Sequence, residues 1–379
     1  MKIGIDARLF GPKDTGIGRY TQCLVENLLA QDKKNQYLLF VRNKQETKFQ
    51  TSKLKSQNLK IVIADFCHYS LKEQLFFPFL LYKEKLDLVH FPHFNVPILY
   101  FGCYVVTIHD LIKHMSKGAE TTTRNPYFYW LKYLGYRLVF WLAVKRAKLI
   151  FVPSKTVALQ LIKVYKIPES KIKVTYEGVG ENLKSQISNL KSEEILEKYK
   201  IKKNYLLYVG NVYPHKNIPN LIKAVKLLIT NYKLLITLVI VCARNVFLER
   251  LERRIKEFEA ERFIKLLGFV PDQDLKILYQ NAEAFVFPSK SEGFGLPGLE
   301  AMACGLPVLA SDIPVFKEIY NNAALYFDPD NPKDIAQKIN EFLINKSLQR
   351  RLKIAGLKQA KNYCWKKTAS ETLNGYQKV

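Results

Sequence analysis

PSKSEGFGLPGLEAMACGLP, residues 288–307, is the most informative segment of this chain. It follows a short apolar run at 284–287, AFVF, which is typical of a buried strand. Glycines and a proline come next, and Pro297 suits the first turn of a helix because that turn does not use the missing N–H group. The pattern predicts a strand, a tight loop and a helix. Free N–H groups at the start of such a helix bind anions, most often phosphate.

Two carboxylates flank this loop, Glu292 at its start and Glu300 eight positions later. Neither suits phosphate directly, because like charges repel. An ionised carboxylate is purely an acceptor, so hydroxyl groups are its better partners. A nucleotide sugar carries phosphates between two polyhydroxy groups and would satisfy both requirements. The segment therefore predicts a nucleotide-sugar site, with an ordinary strand-to-helix turn and two solvated glutamates as the alternative.

The segment SEGFGLPGLE at 291–300 resembles the E-x7-E signature of the family 4 glycosyltransferases, which are retaining enzymes of the GT-B fold. The opening DARLFGPKDTGIGRY at 6–20 resembles that of mannosyltransferase-like members of the same family. The resemblance extends over essentially the whole chain and is sharpest from 262 to 328. It implies an α/β protein with two Rossmann-like, doubly wound parallel-sheet domains facing a central cleft.

Alternating strand and helix patterns in both halves of the chain support two parallel sheets. We expect an N-terminal acceptor-side domain at 1–180, against which a C-terminal helix at 364–379 packs, and a donor-binding domain at 181–363. The polar, lysine-rich segment 181–203 marks the predicted boundary. The predicted strands are 2–6, 36–42, 59–64, 86–91, 103–108, 149–154, 171–176, 205–209, 235–241, 263–267, 284–287, 307–311 and 324–327.

In the first half, the predicted strand 103–108 ends in His109 and Asp110. Ligands of open α/β sheets bind at the carboxyl ends of strands, so this pair lies where catalytic residues are expected. The alternative is that His109 only caps the end of the strand. The resemblance implies that His109 meets the donor sugar. Near the N-terminus, a predicted loop at 7–15 leads into a predicted helix that residues 16–20 open. The glycines of this segment let a ligand approach the backbone closely, and the resemblance puts the glycine loop near acceptor and donor phosphate. The predicted acceptor and phosphate residues are Gly16, Gly18, Arg19 and Asp110.

In the second half, the predicted strand 205–209 is followed by Lys216, which the resemblance implies meets the donor diphosphate. An ammonium group there neutralises charge on the leaving group. Many relatives have an arginine nearby where this chain has Asn211 and His215, although His215 can be positively charged near neutral pH. The predicted catalytic residues are His109, Lys216 and Glu292. The predicted donor-binding residues are Gly210, Asn211, His215, Lys216, Glu292, Gly293, Phe294, Gly295, Leu296 and Glu300.

The composition, 48% hydrophobic and 25% charged, is that of a soluble globular protein. The apolar run at 1–6 is too short for a signal peptide, and no window offers the roughly 20 apolar residues of a spanning helix. The six cysteines are scattered without a C-x-x-C pair. We therefore expect a cytoplasmic protein with reduced thiols.

The net charge of +25 favours an anionic partner. The lysines are widely spread and form no recognisable nucleic-acid motif, so nucleic acid is not the expected partner. A basic, aromatic-rich helical pattern at 126–148 and the apolar segment 75–80 can lie on a membrane surface. Core packing is the favoured interpretation of the helix. Peripheral contact with an anionic membrane, at the inner face of the cell membrane, is kept open.

Together these observations predict a retaining glycosyltransferase that moves a hexose from a nucleoside-diphosphate sugar to a glycan or lipid-linked acceptor in cell-surface polysaccharide synthesis. Mannose from GDP-mannose is the favoured donor. We expect no metal and no other cofactor, because the resemblance implies that protein groups neutralise the diphosphate. The alternatives are a UDP-glucose or UDP-N-acetylhexosamine transferase, a nucleotide-sugar epimerase and, from a different class, a basic nucleic-acid-binding protein.

Overall fold

The computed structural model describes residues 1–11, 14–42, 57–115, 126–180, 189–242 and 246–379. These residues form two compact units. The first comprises the described residues of 1–111, 126–178 and 364–379, and the second those of 112–115 and 179–363. Residues 181–188 of the predicted boundary segment lie outside the described residues.

The first unit contains a parallel sheet whose strand order is β3-β2-β1-β4-β5-β6-β7. The order reverses between β1 and β4, as in a doubly wound sheet, and ligands bind at such a switch point. Its central strands are buried on both faces, which explains their continuous apolar sequences. The strands are β1 Lys2–Asp6, β2 Gln36–Val41, β3 Leu59–Ile63, β4 Leu88–Phe91, β5 Tyr104–Thr107, β6 Leu149–Val152 and β7 Ile172–Val174.

The second unit repeats this arrangement with the strand order β10-β9-β8-β11-β12-β13, again all parallel. Here the order reverses between β8 and β11. All thirteen predicted strands are present, several of them shorter than predicted, so the two doubly wound parallel sheets are confirmed. The strands are β8 Tyr205–Val209, β9 Thr237–Val241, β10 Ile264–Leu267, β11 Ala284–Phe287, β12 Val308–Ser311 and β13 Ala324–Phe327.

Helices connect these strands, and local sequence explains where several of them begin. The Ser154 side chain accepts a hydrogen bond from the Val157 N–H, and Asn331 does the same for Asp334. The helices in the described residues are α1 Thr15–Gln31, α2 Leu71–Lys83, α3 Ile112–Met115, α4 Pro126–Arg146, α5 Lys155–Tyr165, α6 Asn189–Lys198, α7 Ile218–Thr230, α8 Val246–Glu257, α9 Asp272–Asn281, α10 Leu296–Ala303, α11 Pro314–Tyr320, α12 Pro332–Ile344, α13 Lys346–Ala360 and α14 Trp365–Tyr376.

The last helix, α14, belongs to the first unit and packs against α1. The Trp365 ring meets the Tyr20 ring edge-on, with centroids 5.8 Å apart. The Thr368 hydroxyl donates to the Tyr176 carbonyl at 2.6 Å. Gly178 permits this packing, because a Cβ atom there would lie 2.0 Å from the Trp365 nitrogen. The first turn of α14 is thus fastened beside the carboxyl end of β7.

Candidate functional site

The loop between β11 and α10 depends on close packing at Gly295. This residue caps α10 with φ of +98°, a conformation that favours glycine. A Cβ atom on Gly295 would lie 2.4 Å from the Tyr320 hydroxyl, which donates to the Gly295 carbonyl at 2.5 Å. Gly298 is equally confined by Tyr320. The glycines of the signature therefore let the loop lie directly on α11, with the N-terminus of α10 beside it.

The structure brings the predicted catalytic residues Lys216 and Glu292 into direct contact, with 2.5 Å between Nζ and Oε1. Their side chains are only 15% and 9% exposed. The loop after β8 is also joined to the loop after β11 through the backbone, because the Lys290 N–H donates to the His215 carbonyl at 2.8 Å. Pairing of β8 with β11 in the sheet makes this contact possible. The result is a cation and a carboxylate at the carboxyl ends of adjacent strands.

Glu300 lies one turn inside α10 and is buried rather than exposed to bulk water. The Tyr279 hydroxyl lies 3.5 Å from its Oε2 atom. Burial, with a smaller contribution from the Glu300 charge, raises the pKa of Cys304 to about 12, so this neighbouring thiol stays protonated. The carboxylate is therefore held in a confined position on the signature helix.

The predicted donor residues after β8 form a tight turn. The Gly210 N–H donates to the Val241 carbonyl at 3.0 Å, and the Tyr208 hydroxyl donates to the Asn211 carbonyl at 2.6 Å. Burial, and secondarily the charge of Glu292, raises the pKa of Tyr208 far above its ordinary value. Tyr208 therefore stays a neutral donor. Its bond to Asn211 fixes the course of the chain that leads to Lys216.

In the first unit, His109 follows β5 and both of its ring nitrogens are close to oxygen atoms. Nε2 lies 2.9 Å from the Pro92 carbonyl oxygen and Nδ1 lies 3.3 Å from Oε1 of Glu177. Burial is the largest single influence and lowers the pKa of His109. The hydrogen bond and charge of Glu177, with smaller contributions from the Pro92 carbonyl and Asp110, outweigh burial and raise this pKa above its ordinary value. The site therefore favours a charged imidazole.

Glu177 is a candidate site residue that was not predicted from the sequence, where it follows the predicted strand 171–176. The signal was an acidic residue shortly after the strand β7, at the same sheet edge as His109. Nothing local in the sequence connects the two residues. The order of the strands in the sheet determines that they meet.

Gly16, Gly18 and Arg19 lie in the first two turns of α1, so the prediction that this segment opens a helix is confirmed. Gly18 is packed against the preceding segment: its carbonyl accepts from the Gly11 N–H at 2.9 Å, and a Cβ atom would lie 2.3 Å from the Gly11 oxygen. A Cβ atom on Gly16 would meet no atom within 4 Å. Gly18 is thus required for packing, whereas Gly16 has open space around it. Their role toward acceptor or phosphate, with that of Asp110, stays a prediction.

The DAR sequence at 6–8 forms a buried ion cluster. The Arg8 guanidinium lies 2.7 Å from Asp6 Oδ2 and 2.7 Å from Glu73 Oε1, and it stacks over the Phe77 ring at 4.1 Å. The Asn95 amide donates to Glu73 at 2.7 Å. Burial raises the pKa of Glu73. Burial is also the largest single influence on Asp6, but the charge of Arg8 and its hydrogen bonds, with a smaller contribution from His68, together outweigh burial and lower the pKa of Asp6. This cluster fastens the end of β1 to α2.

Three comparisons connect this geometry to known proteins. Residues 15–182 match the family model described as Glycosyltransferase Family 4, and residues 191–359 match the model described as Glycosyl transferases group 1. The chain is 30% identical over 385 aligned residues to the O-antigen chain mannosyltransferase B of Escherichia coli, an alignment that covers 96% of each protein.

A second relative is the O-antigen chain mannosyltransferase RfbU of Salmonella typhimurium, which is 35% identical over 249 residues. This alignment covers 65% of the chain and 62% of RfbU, so the chain spans just under two thirds of that relative. Among solved structures, Anabaena HepE in complex with UDP and glucose superimposes with a TM-score of 0.77 over the whole of both chains at 16% identity. At that identity the likeness concerns the fold alone.

Proposed function

This chain belongs to the family 4 glycosyltransferases and has a GT-B type of fold, and from that premise we propose that it transfers mannose from GDP-mannose to a glycan or lipid-linked acceptor in cell-surface polysaccharide synthesis. The observation that carries the proposal is the Lys216–Glu292 contact beside the N-terminus of α10. The O-antigen mannosyltransferases among the relatives support the choice of sugar and acceptor class.

In the proposed reaction, the bond between the anomeric carbon and the diphosphate oxygen breaks, and its electron pair stays on the diphosphate. Lys216 and the backbone N–H groups around Phe294, Gly295 and Leu296 stabilise that charge. Because Lys216 is already paired with Glu292, the ammonium is held in place before the donor arrives. Glu292 then accepts hydrogen bonds from the sugar hydroxyls. The acceptor oxygen bonds to the same face of the sugar, and its proton passes to the oxygen of the departing diphosphate, with retention of configuration.

We propose that Glu300 accepts hydrogen bonds from the ribose hydroxyls of the donor. Glu300→Gln keeps the size of the side chain but removes the charge, and hydrogen bonds to charged groups contribute about 1.5–3 kcal/mol. The expected result is a GDP-mannose KM raised about 10–100-fold with a much smaller change in kcat. Glu341→Gln, at an exposed glutamate paired with Lys338, is the matched control. A donor KM equal to that of the unchanged enzyme contradicts the ribose assignment.

The choice of donor is tested by thermal shift with GDP-mannose, UDP-glucose and UDP-N-acetylglucosamine, because only a ligand bound by the folded state stabilises it. Stabilisation by GDP-mannose alone is the expected result. The UDP-bound HepE structure favours UDP-sugars as the second candidate, and stabilisation by these alone would replace the mannosyl assignment. A new sugar nucleotide formed from donor without acceptor would indicate an epimerase.

We also propose that the first unit contacts an anionic membrane through two helix faces. The α2 face, which we define by the exposed residues of this helix, is largely apolar although it points to solvent. The inner side of α2 packs into the core through Phe77 and Leu81, so the segment 75–82 is apolar on both its inner and its outer side. The α2 face consists of Leu71, Lys72, Leu75, Phe76, Phe79, Tyr82 and Lys83.

The second face lies on α4, whose inner side packs in the core through Phe140 and Val144, so core packing is correct for one side of this helix. The Arg146 guanidinium, at the end of α4, lies over the Phe101 ring at 4.8 Å, and the Phe101 N–H donates to the Tyr82 hydroxyl of α2 at 2.7 Å. These contacts connect the two helices at the surface. The α4 face comprises Trp130, Leu134, Leu138 and Trp141, with Lys132, Arg137 and Lys145 exposed beside them.

The apolar side chains of these two faces suit the interior of a bilayer, and the lysine and arginine side chains at their edges suit its anionic headgroups. A second copy of this chain, itself at +25, would be repelled electrostatically. Within the described residues, no helix is long and apolar enough to cross the bilayer. We therefore propose peripheral binding of these two faces, which would bring the enzyme to a lipid-linked acceptor.

Vesicle flotation tests this contact, using phosphatidylglycerol-containing vesicles beside pure phosphatidylcholine. The double variant Leu75→Ser, Phe79→Ser should weaken binding to the anionic vesicles at least about 10-fold, because two large apolar side chains lose their burial. Ile344→Ser with Ile354→Ser, two equally exposed apolar residues of the second unit, is the control. Equal flotation of both double variants, or no flotation of the unchanged protein, would contradict the proposed membrane contact.

A further inference from the structure

Both ring nitrogens of His109 face atoms that can only accept hydrogen bonds. Nε2 lies 2.9 Å from the Pro92 carbonyl oxygen, and Nδ1 lies 3.3 Å from the Glu177 carboxylate. A carbonyl oxygen cannot donate, and neither can an ionised carboxylate. A neutral imidazole has one N–H group and would leave its other nitrogen lone pair facing an oxygen. Only the doubly protonated ring satisfies both contacts.

The other groups around His109 are consistent with a charged ring. Asp110 follows it in the chain and contributes a further attraction. From α1, the Tyr20 ring approaches edge-on with a centroid distance of 4.6 Å, and its hydroxyl lies 3.2 Å from that of Thr107. Among the described residues, the titratable neighbours of His109 include two carboxylates, one tyrosine that burial keeps neutral and one further histidine, His90.

His90, on β4, shows the opposite arrangement. Its Nδ1 lies 2.6 Å from the Tyr376 hydroxyl and its Nε2 lies 2.8 Å from the Thr107 hydroxyl. Hydroxyl groups both donate and accept, so a neutral imidazole satisfies these partners. Burial, and then the nearby charge of His109, lowers the pKa of His90 to about 3. Of these two histidines, only His109, the one beside Glu177, has partners that favour the charged ring.

We propose that Glu177 is a positioning residue that holds His109 as a doubly protonated imidazolium, with both N–H groups directed to the chain and not to the substrate. This inference rests on the proposed function and on the expectation, from the family resemblance, that His109 meets the donor sugar. His109 then contributes a fixed positive charge and its backbone, instead of an N–H hydrogen bond to a sugar hydroxyl. Glu177 maintains that charge at a pH where an ordinary histidine is neutral.

The direction of the pH dependence follows from the raised pKa of His109. The stability that the His109–Glu177 ion pair contributes is fully present just below pH 6.5, the ordinary histidine pKa. This stability is lost as the pH rises through the raised pKa that His109 has in the folded chain. Without Glu177 the two largest influences that raise the pKa of His109 are lost, and only the Pro92 carbonyl and Asp110 still oppose burial. A variant that lacks the carboxylate should therefore lose the imidazolium at neutral pH.

The protonation state is tested in the full chain labelled with ¹⁵N-histidine. In a long-range ¹H–¹⁵N spectrum the two nitrogens of an imidazolium have similar shifts, whereas those of a neutral ring lie far apart. We expect His109, assigned from the signal lost in His109→Gln, to be doubly protonated at pH 7.5, and neutral at that pH in Glu177→Gln. A neutral His109 in the unchanged protein at pH 7.5 overturns the inference. This measurement needs no turnover, so it is decisive even if the proposed reaction is not observed.

The positioning role is tested by the pH profile of kcat/KM. Glu177→Gln should lower kcat/KM about 10-fold at pH 7.5 and less at pH 6. The reason is that the high-pH fall of the kcat/KM profile should shift to a pH about one unit lower in this variant. Glu177→Asp should recover part of the profile. Glu169→Gln, at an exposed glutamate of the same unit, should leave it unchanged. If Glu177→Gln neutralises His109 but the profile does not move, the positioning role is wrong while the glycosyl transfer stands.

Discussion

Lys216→Ala should lower kcat for mannosyl transfer about 100- to 1000-fold, the loss that follows removal of one preorganised group at a developing negative charge. The Lys216 ammonium lies in a nearly buried position, 2.5 Å from Glu292 and 5.7 Å from the centre of the Phe287 ring. Water screens such a charge poorly, so its interaction with a departing diphosphate is strong. Single-turnover kinetics with saturating donor measure the effect on the chemical step.

Two further variants separate this role from damage to the loop. Lys317→Ala removes an exposed lysine that pairs with Asp312, and it should change kcat less than twofold. The double variant Lys216→Ala, Glu292→Gln removes the carboxylate charge that Lys216→Ala leaves without its cation. If the double variant recovers the lost rate, then the unpaired Glu292 charge caused the loss, and the assignment of Lys216 to the diphosphate is wrong.

Arg8→Ala should reduce the free energy of unfolding of the first unit by about 3–5 kcal/mol, because it leaves two buried carboxylates without their shared cation. Asp6 and Glu73 both contact Arg8 at 2.7 Å; the Arg8 and Glu73 side chains are fully buried, and that of Asp6 is 8% exposed. The corresponding fall in Tm is about 6–20 °C for a unit of this size. Arg42→Ala, at an exposed pair with Asp65, should cost less than about 1 kcal/mol.

The Arg8 variant should also respond differently to pH. In the unchanged protein the depressed pKa of Asp6 adds stability above its ordinary pKa, and this stability is lost as the pH falls. In Arg8→Ala, burial of Glu73 without a cation raises its pKa further, and the protonated form becomes the stable one. The variant should therefore gain stability from pH 8 to pH 5 relative to the unchanged protein. Thermal unfolding at both pH values measures this difference. If Arg8→Ala lost the same stability at pH 8 and at pH 5, the proposed role of the Arg8 charge in the cluster would be contradicted.

The ion cluster also changes the meaning of the DAR sequence. Its resemblance to mannosyltransferase-like proteins favours mannose, but in the structure Asp6 and Arg8 fasten β1 to α2. A residue pattern needed for the fold carries little information on the sugar. The mannosyl proposal therefore depends on the alignment with O-antigen mannosyltransferases and on the donor experiment, and less on residues 6–8.

The strands were predictable because they are short apolar runs bounded by turn residues, as at 284–287 and 205–209. Helix α2 was not predicted as a helix, since its outward face is as apolar as its inward face and the helical period is hidden. Helix α6 lies in the lysine-rich segment that we assigned to the boundary. In both cases the sequence lacks the contrast between polar and apolar faces from which a helix is recognised.

The sequence by itself determined the strand, loop and helix around 284–303, since an apolar run, close-packing glycines and a proline in the first turn act through local geometry. It also supplied the residue types of the candidate site, Lys216, Glu292 and Glu300 among them. Only the tertiary structure decided which of these groups meet. Lys216 contacts Glu292 across 76 positions because β8 pairs with β11, and Glu177 reaches His109 because both follow strands of one parallel sheet. Contacts between residues so far apart in the sequence follow from the order of the strands in the sheet, and no local sequence pattern specifies that order.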